Sequence, residues 1–268
     1  MSRTITVAGQ AVEIAEAGSG APLLYLHGFA DIHGASVDLL PFHHHLAKTK
    51  SVIAPAHPGC AGSAEDDEIE TMDDLAFRLI ETIDALGLDR VDLAGSCVGG
   101  WLAAELAVRH PERVRRLALV GASGLFVAGE PIGDFFWETQ PRNGSDYSGL
   151  REMLFARADD PAAESLFPDD RSDGVRELSR YKMMRFASRI GFSPPYFYDR
   201  HLRQRLHRYK APALLIWGEH DRMVPRAHAE AYREGLAKSE LRIVKGAGHS
   251  PQAERPEETA ALIADFMG

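Results

Sequence analysis

One cysteine lies in a run of small residues that is typical of a sharp turn between a strand and a helix. Residues 95–100 read Gly-Ser-Cys-Val-Gly-Gly, after an apolar run and before a helical pattern. Such a turn, a nucleophile elbow, strains one residue and needs small residues two positions before and two positions after it. Around Cys97 these positions are Gly95 and Gly99, whereas around Ser96 one of them would be a β-branched valine. The spacing therefore predicts that the thiol of Cys97 is the nucleophile.

This stretch also has less reactive interpretations. A free cysteine is usually a buried structural residue, and glycine-rich turns between strands and helices also bind phosphates. Cys60 and His57, in the loop after another strand, are ambiguous in the same way, and there a packing role is favoured over chemistry. Chemistry is favoured at Cys97 because matching groups occur elsewhere in the chain.

An acid and a histidine follow at the ends of later strands. Asp221 follows Trp-Gly-Glu-His, and His249 follows Gly-Ala-Gly. A thiolate attacks only if a base holds or takes its proton, and a carboxylate must orient the imidazole and stabilise its cation. The order nucleophile, acid, histidine predicts a triad of Cys97, Asp221 and His249. Glu219, two residues before Asp221, is the rival acid.

The first buried strand ends in His27-Gly28-Phe29, at the sheet edge where open α/β folds bind ligands. The backbone amide of Phe29 is expected to pair with that of Val98, the residue after the nucleophile, as an oxyanion hole. His27 and Gly28 are candidate substrate contacts. Trp137, in an aromatic-rich stretch, is a third candidate.

Short apolar runs alternate with helical patterns along most of the chain, which predicts an α/β fold on a mostly parallel sheet. The predicted strands are residues 4–7, 12–17, 22–26, 51–54, 114–120, 211–217 and 241–244, together with the run that enters the elbow. The first two alternate around a Gly-Gln turn, so we expect them to form an antiparallel edge.

Residues 126–209 break this alternation, because they carry many aromatic residues and helical patterns but no strand pattern. We predict a helical cap (lid) here, inserted into a core domain that comprises residues 1–125 and 210–268. Pro194-Pro195 predicts a break between cap helices. The alternative is an independent second domain, but loop-broken amphipathic helices of this length need the sheet domain to cover their apolar faces.

The composition is that of a globular protein whose 268 residues can bury one large core. Its 39 acidic and 30 basic residues give a formal net charge of -9, which disfavours nucleic acid or an anionic membrane as partner. The chain lacks an apolar run long enough for a signal peptide or a membrane span, and its two cysteines suit a reducing compartment. We expect a cytoplasmic protein that acts on a small molecule with an apolar or aromatic body, without a cofactor. The composition is also compatible with a homodimer.

Three consecutive histidines at positions 43–45 are the only cluster that suggests a metal site. Adjacent helical residues point about 100° apart, so these rings cannot converge on one ion. We interpret them as a solvated helix face and expect no metal.

Together the motifs resemble those of the α/β-hydrolase fold superfamily over nearly the whole chain. The matching stretches are His27-Gly28-Phe29, His57-Pro58-Gly59, the elbow at 95–100, the acid turn at 217–221 and the histidine loop at 246–249. The resemblance implies an eight-stranded, mostly parallel sheet with flanking helices and an inserted helical cap. The motifs are most similar to those of the capped bacterial branch that contains ring-cleavage (carbon–carbon bond) hydrolases and esterases.

The chain departs from the family pattern in two places. Cys97 stands where most members of the family have serine. Dienelactone hydrolases share this cysteine, but they lack such a cap. Both a native thiol and a replacement of serine stay open. The aspartate nucleophile of dehalogenases and epoxide hydrolases is excluded, because Cys97 occupies its position. In the loop usually written Asp-x-x-Gly-x-Gly-x-Ser, Ala56 replaces the acid and Ala61 the second glycine.

The leading hypothesis is a hydrolase of a carboxylic ester, lactone or activated acyl compound that works through a thioester. A carbon–carbon bond hydrolase of a ring-cleavage product is a second hypothesis, in which proton transfer by histidine matters more than nucleophilicity. A thioesterase or acyltransferase is a third, because a thioester also reacts with acceptors other than water. A ligand-binding receptor of the same fold, without turnover, comes from a different functional class.

Overall fold

The computed structural model describes residues 1–139, 147–192 and 196–268. Within these ranges eight strands form one sheet. The strands are β1 (Ser2–Val7), β2 (Gln10–Ala17), β3 (Ala21–Leu26), β4 (Lys50–Pro55), β5 (Val91–Ser96), β6 (Val114–Val120), β7 (Ala213–Gly218) and β8 (Ser239–Val244). Their order across the sheet is β1-β2-β4-β3-β5-β6-β7-β8. β1 pairs antiparallel with β2 and β2 with β4, and the remaining neighbours are parallel. The predicted mostly parallel sheet with an antiparallel edge is confirmed.

Helices connect the parallel strands and cover both faces of the sheet. Those in the described ranges are α1 (Pro41–Leu46), α2 (Met72–Ala85), α3 (Cys97–Arg109), α4 (Phe135–Glu138), α5 (Ser148–Leu154), α6 (Pro161–Leu166), α7 (Gly174–Gly191), α8 (Leu202–Arg205), α9 (Arg226–Gly235), α10 (Pro251–Glu254) and α11 (Pro256–Met267). Short 3₁₀ turns lie at Pro111–Arg113 and Leu206–Arg208. Across the described ranges, every helix is too short or too polar to traverse a lipid bilayer.

The alternation of side chains along the central strands divides the core into two layers. Leu23 and Tyr25 of β3 face the layer that contains Phe42 of α1 and residues of α11. Leu24 and Leu26 face the opposite layer, with residues of α2, α3 and α9. Because both faces are covered, the parallel strands are apolar throughout, and functional groups collect where the strands end.

The described part of the segment between β6 and β7 contains α4 to α8 and packs over the carboxyl ends of the strands. The carbonyl of Leu154 accepts a 3.0 Å hydrogen bond from the amide of Ser250, beside the histidine loop. Phe186 of α7 stacks on His57 with ring centroids 4.7 Å apart. The break predicted at Pro194-Pro195 lies outside the described residues, of which the nearest are Phe192 and Tyr196.

The three histidines of α1 do not form a solvated face as a group. His44 is exposed, but His43 is buried, with its ring 5.0 Å from that of Tyr25. Burial lowers the pKa of His43 to about 3, so the ring is neutral at physiological pH. The predicted solvated face is therefore wrong for His43, because the side of α1 that carries this residue packs on the sheet. Among the residues that the structure describes, no group of three metal-ligating side chains comes together.

Candidate active site

The turn between β5 and α3 has the backbone that the sequence predicts for an elbow. Cys97 has φ +50°, a left-handed conformation that is strained for a residue with a side chain. A Cβ atom on Gly95 would lie 2.4 Å from the carbonyl oxygen of Gly99, and one on Gly99 would lie 2.3 Å from that of Leu26. Both positions therefore exclude any side chain, and the turn presents Cys97 at the first residue of α3.

Asp221 and His249 come together after β7 and β8. The Nδ1 atom of His249 lies 2.9 Å from Oδ2 and 3.1 Å from Oδ1 of Asp221. Oδ1 also accepts hydrogen bonds from the backbone amides of Met223 and Val224, at 2.9 Å and 2.8 Å. These amides hold the carboxylate in place, so that it fixes both the orientation and the tautomer of the imidazole.

The charges around His249 favour its protonated form. Burial lowers the pKa of His249, but the charges of Asp221 and Cys97 and the hydrogen bond to Asp221 raise it well above its usual value of 6.5. The Nε2 atom is buried and has no hydrogen-bond partner of normal geometry within the described ranges. His249 therefore takes up a proton readily, and its Nε2 is the ring nitrogen that remains for proton transfer.

Glu219, the rival candidate for the acid, binds a different partner. Its Oε2 atom accepts a 2.9 Å hydrogen bond from the amide of Gly246, and its side chain is 46% exposed. The side chain of Asp221 is 1% exposed. Of the two acids, Asp221 is the one that contacts His249.

The loop after β3 packs directly on the elbow. A Cβ atom on Gly28 would lie 2.8 Å from the Cβ of Cys97, so the backbone before Phe29 touches the candidate nucleophile. Val98 is the second residue of α3, where backbone amides have no acceptor inside the helix. Ser96 is the N-cap residue, but its side chain does not cap the helix. This arrangement is compatible with the expected pair of oxyanion amides at Phe29 and Val98.

His27 does not line open space, contrary to the expectation of a substrate contact. Its ring is fully buried, its Nδ1 lies 3.2 Å from the carbonyl oxygen of Gly28, and its Nε2 accepts a 3.0 Å hydrogen bond from the amide of His57. Burial lowers the pKa of His27 well below 6.5, so the ring is a neutral part of the loop framework. Gly28 is likewise buried, and it contacts Cys97 and Ser96.

Cys60 lies in the core as the favoured packing role predicts. It is fully buried, with its Sγ 3.9 Å from the Sδ of Met183 in α7. Burial raises the pKa of the Cys60 thiol, with a smaller opposing effect from Lys182. Cys60 is therefore a poor nucleophile at neutral pH.

A cavity of about 290 Å³ opens beside the oxyanion loop. Phe29 lines it from the sheet side, stacked on Phe135 of α4 with ring centroids 3.9 Å apart. Trp137 does not belong to the lining: its side chain is 69% exposed and points away from the core. Trp137, the expected substrate contact, is thus not part of this cavity, whereas Phe135, two residues earlier in the single turn of α4, lines it.

Two buried acids were not identified as functional from the sequence. Asp31 accepts hydrogen bonds from the oxyanion loop and from the elbow. Glu254 accepts 2.7 Å hydrogen bonds from the amide of Gly248 in the histidine loop and from the amide of Ala156. Their proximity to the predicted motifs was the available signal, but acidic side chains are usually exposed to solvent.

A family model described as the alpha/beta hydrolase fold matches residues 21–256. The chain belongs to this family. The match includes the elbow, Asp221, His249 and the whole segment between β6 and β7. The chain is a hydrolase of the α/β fold, and the resemblance inferred from the motifs is confirmed.

Relatives of this hydrolase match nearly the whole of this chain. It is 27% identical to the 2-hydroxymuconate semialdehyde hydrolase of Pseudomonas sp. strain CF600, over 100% of this chain and 94% of that protein. It is 29% identical to the dihydrolipoyllysine-residue acetyltransferase component of the acetoin cleaving system of Cupriavidus necator, over 98% of this chain and 68% of that protein.

A solved structure matches this hydrolase in fold. The meta-cleavage product hydrolase of Pseudomonas fluorescens IP01 superposes with a TM-score of 0.79 at 22% identity. The superposition covers 99% of this chain and 97% of that structure. At this identity the match bears on the fold alone, and it agrees with the predicted α/β-hydrolase architecture.

Proposed function

We propose that this hydrolase cleaves a carboxylic ester, a lactone or an activated acyl compound through a thioester on Cys97. The observation that carries the proposal is the strained Cys97, at φ +50°, whose charge acts on a histidine that Asp221 orients at 2.9 Å. Cys97 is the nucleophile, His249 moves the proton and Asp221 orients the imidazole.

Acylation follows from this geometry. The Sγ of Cys97, as a thiolate, attacks the carbonyl carbon, and the amides of Phe29 and Val98 stabilise the negative oxygen of the tetrahedral intermediate. The carbon–oxygen bond to the leaving group then breaks, and the Nε2 of His249 donates its proton to the departing alkoxide. The products of this half-reaction are an alcohol and a thioester on Cys97.

Deacylation uses the same groups in reverse. The neutral Nε2 of His249 takes a proton from water, and the resulting hydroxide attacks the thioester carbonyl. The carbon–sulfur bond breaks, the thiolate of Cys97 is restored and the carboxylic acid leaves. Because His249 ends protonated beside the thiolate, the starting ion pair is regenerated.

Residues 126–209 serve as the cap in this proposal and shape the substrate pocket. The cavity beside Phe29 is lined mainly by apolar and aromatic side chains of this segment, among them Phe135, Leu150 and Phe167. Its charged lining forms a paired cluster in which Glu177 binds Arg171 and Arg180. The pocket therefore suits a substrate with an apolar or aromatic body. Its link to the candidate triad is Phe29, which lines the cavity and follows Gly28, the residue in contact with Cys97.

A second candidate function is carbon–carbon bond hydrolysis of a ring-cleavage product. It is favoured by the match to the hydrolase of Pseudomonas sp. strain CF600, which extends over the whole of this chain. In that reaction His249 would first shift a proton on the conjugated substrate, and Cys97 or water would attack the ketone afterwards.

The test is a panel of p-nitrophenyl esters assayed beside a coloured ring-cleavage dienoate, with the wild type and Cys97→Ala. We expect ester turnover that Cys97→Ala abolishes, and a mass increase on Cys97 when the reaction is quenched early. Faster turnover of the dienoate than of every ester, with appreciable activity left in Cys97→Ala, would favour the second candidate. Binding without turnover of either class would indicate a receptor, and transfer of the acyl group to an added thiol or amine in preference to water would indicate an acyltransferase.

A further inference from the structure

A carboxylate lies buried directly beneath the candidate site. Asp31 is fully enclosed, and three donors surround its side chain. Its Oδ2 accepts hydrogen bonds from the hydroxyls of Tyr25 and Ser96, both at 2.6 Å, and its Oδ1 accepts one from the amide of Gly28 at 2.7 Å. A buried carboxylate needs such compensation, because an unpaired charge there is very costly.

Two of these donors belong to the two segments that carry the proposed oxyanion amides. Gly28 directly precedes Phe29 in the loop after β3, and Ser96 directly precedes the elbow residue Cys97. Ser96 and Asp31 are 65 residues apart in the chain. One carboxylate therefore joins the loop and the elbow at the point where their relative position matters most for acyl transfer.

The hydroxyl of Ser96 donates to Asp31, although Ser96 is the N-cap residue of α3 and could have capped that helix. Serine at a helix N-cap usually accepts hydrogen bonds from the first amides of the helix, but this side chain makes no such bond. By donating to Asp31 instead, Ser96 does not compete for the amide of Val98. The elbow is thereby tied to the loop, and that amide stays available to an oxyanion.

We propose that Asp31 is a positioning residue that sets the spacing of the Phe29 and Val98 amides by holding the loop at Gly28 and the elbow at Ser96. This inference rests on the proposed function, because it assumes a reaction that develops a negative oxygen. Asp31 does not touch the substrate. It acts through the backbone of its two partners.

Stability alone does not account for this carboxylate. Burial raises the pKa of Asp31 to about 6, although hydrogen bonds from Ser96, Tyr25 and Gly28 and the charge of His249 oppose the rise. The ionised form is thus less favourable in the fold than in water, and it is the form that accepts all three bonds at once. The three donors offset this cost in part, and two of them belong to the loop and to the elbow.

The test separates oxyanion stabilisation from the reactivity of the thiol. Ester hydrolysis needs both, whereas alkylation of Cys97 by iodoacetamide passes through no oxyanion. We expect Ser96→Ala and Asp31→Ala to lower kcat for ester hydrolysis by about 10- to 100-fold, with KM and the alkylation rate of Cys97 little changed. In Asp31→Asn, the amide can still bridge Gly28 and Ser96, because a hydroxyl can also accept, so we expect a smaller loss.

Tyr25→Phe is the matched control. It removes a donor to the same Oδ2 atom, but one that comes from β3 and holds neither the loop nor the elbow. We expect it to reduce kcat less than Ser96→Ala does. In the Asp31→Ala background, Ser96→Ala should add little, because both changes break the same bridge.

Three results would overturn the positioning role. They are wild-type kcat in Ser96→Ala, equal losses of hydrolysis and alkylation in that variant, or a Tyr25→Phe loss as large as that of Ser96→Ala. If Asp31→Ala does not fold, Ser96→Ala alone decides. Failure of the proposed function looks different, because Cys97→Ala would then hydrolyse the ester at the wild-type rate.

Discussion

Gly99 touches the carbonyl oxygen of Leu26 so closely that an added Cβ would lie 2.3 Å from it. This contact joins the start of α3 to the end of β3, and through it to the oxyanion loop. The atoms nearest to such a Cβ are the backbone carbonyl oxygens of Leu26 and His27. They cannot move away without a shift of the buried strand β3. The relationship makes the elbow sensitive to a single methyl group.

Gly99→Ala should therefore destabilise the protein by about 1–3 kcal/mol, as overpacking usually does, and should abolish ester hydrolysis. Gly174→Ala is the matched control, because a Cβ there meets nothing within 4 Å. We expect it to keep full activity and stability. Urea unfolding and an ester assay on both variants provide the measurement, and an active Gly99→Ala would contradict the contact.

Asp221→Asn should lower kcat by at least about 100-fold. The amides of Met223 and Val224 will hold the carbonyl oxygen of the new asparagine, so its NH₂ group will face Nδ1 of His249. The imidazole must then accept a hydrogen bond at Nδ1, which places its proton on Nε2, the wrong nitrogen for a base. Steady-state kinetics on purified protein measures the effect.

Glu219→Gln is the control for that experiment. The exposed Glu219 accepts a hydrogen bond from the amide of Gly246, and a glutamine oxygen can accept it as well. We expect activity close to that of the wild type. A large loss in Glu219→Gln together with an active Asp221→Asn would transfer the role of acid to Glu219.

The candidate positions that the sequence predicts at one edge of the sheet are those whose constraint is local. Cys97, Asp221 and His249 each stand at the end of an apolar run, inside a turn with its own glycine pattern, and the parallel sheet then brings such ends to one edge. The eight strands followed from periodicity in the same way. Bounds differed by a few residues: the last strand begins at Ser239, two residues before the predicted start.

What the sequence did not reveal depends on partners far along the chain. Asp31 looks like an ordinary loop acid until β3 and β5 pair and bring Ser96 to it. His27 looks available for substrate until its ring is enclosed by His57. For Trp137 and Phe135, aromatic content alone does not tell which ring faces the cavity.

Iodoacetamide near neutral pH should alkylate Cys97 much faster than Cys60 and inactivate the enzyme. The raised pKa of His249 places a positive charge beside Cys97, whereas burial raises the pKa of the Cys60 thiol and so favours its less reactive protonated form. Peptide mapping by mass spectrometry locates the label. Cys60→Ser should keep both the labelling and the inactivation, and labelling of Cys60 with loss of activity would overturn the assignment.

The raised pKa of the buried Glu254 predicts that the stability of the protein depends on pH. Burial raises the pKa of this carboxyl from 4.5 to about 7, although the amides of Ala156 and Gly248 oppose the rise. The folded state therefore binds its proton more tightly than the unfolded state, so this contribution to stability is complete below about pH 4.5 and is lost as the pH rises through about 7.

The measurement compares the free energy of unfolding of the wild type with that of Glu254→Gln between pH 4 and 8. Glutamine does not titrate, so the advantage of the wild type over the variant should fall across this window. Glu257→Gln, at an exposed position in the first turn of α11, is the control for the loss of one negative charge. An advantage that grows with pH would reverse the assigned direction of the shift.

Replacing Cys97 with serine tests whether the site is adapted to a thiol. A thiolate is charged before attack, so a site built for it gains less from proton removal during the reaction than a serine site does. The charge of Cys97 is one of the causes that raise the pKa of His249, and a neutral serine hydroxyl does not supply it. We therefore expect Cys97→Ser to lower kcat/KM for ester hydrolysis.

In a scaffold adapted to serine, the amides of Phe29 and Val98 would instead suit the shorter side chain. The rate of the variant would then rise by well over tenfold, where each factor of ten corresponds to about 1.4 kcal/mol of barrier. Hydrolysis of one ester by both proteins decides between the two, and a large gain with serine would refute the native Cys-His-Asp mechanism.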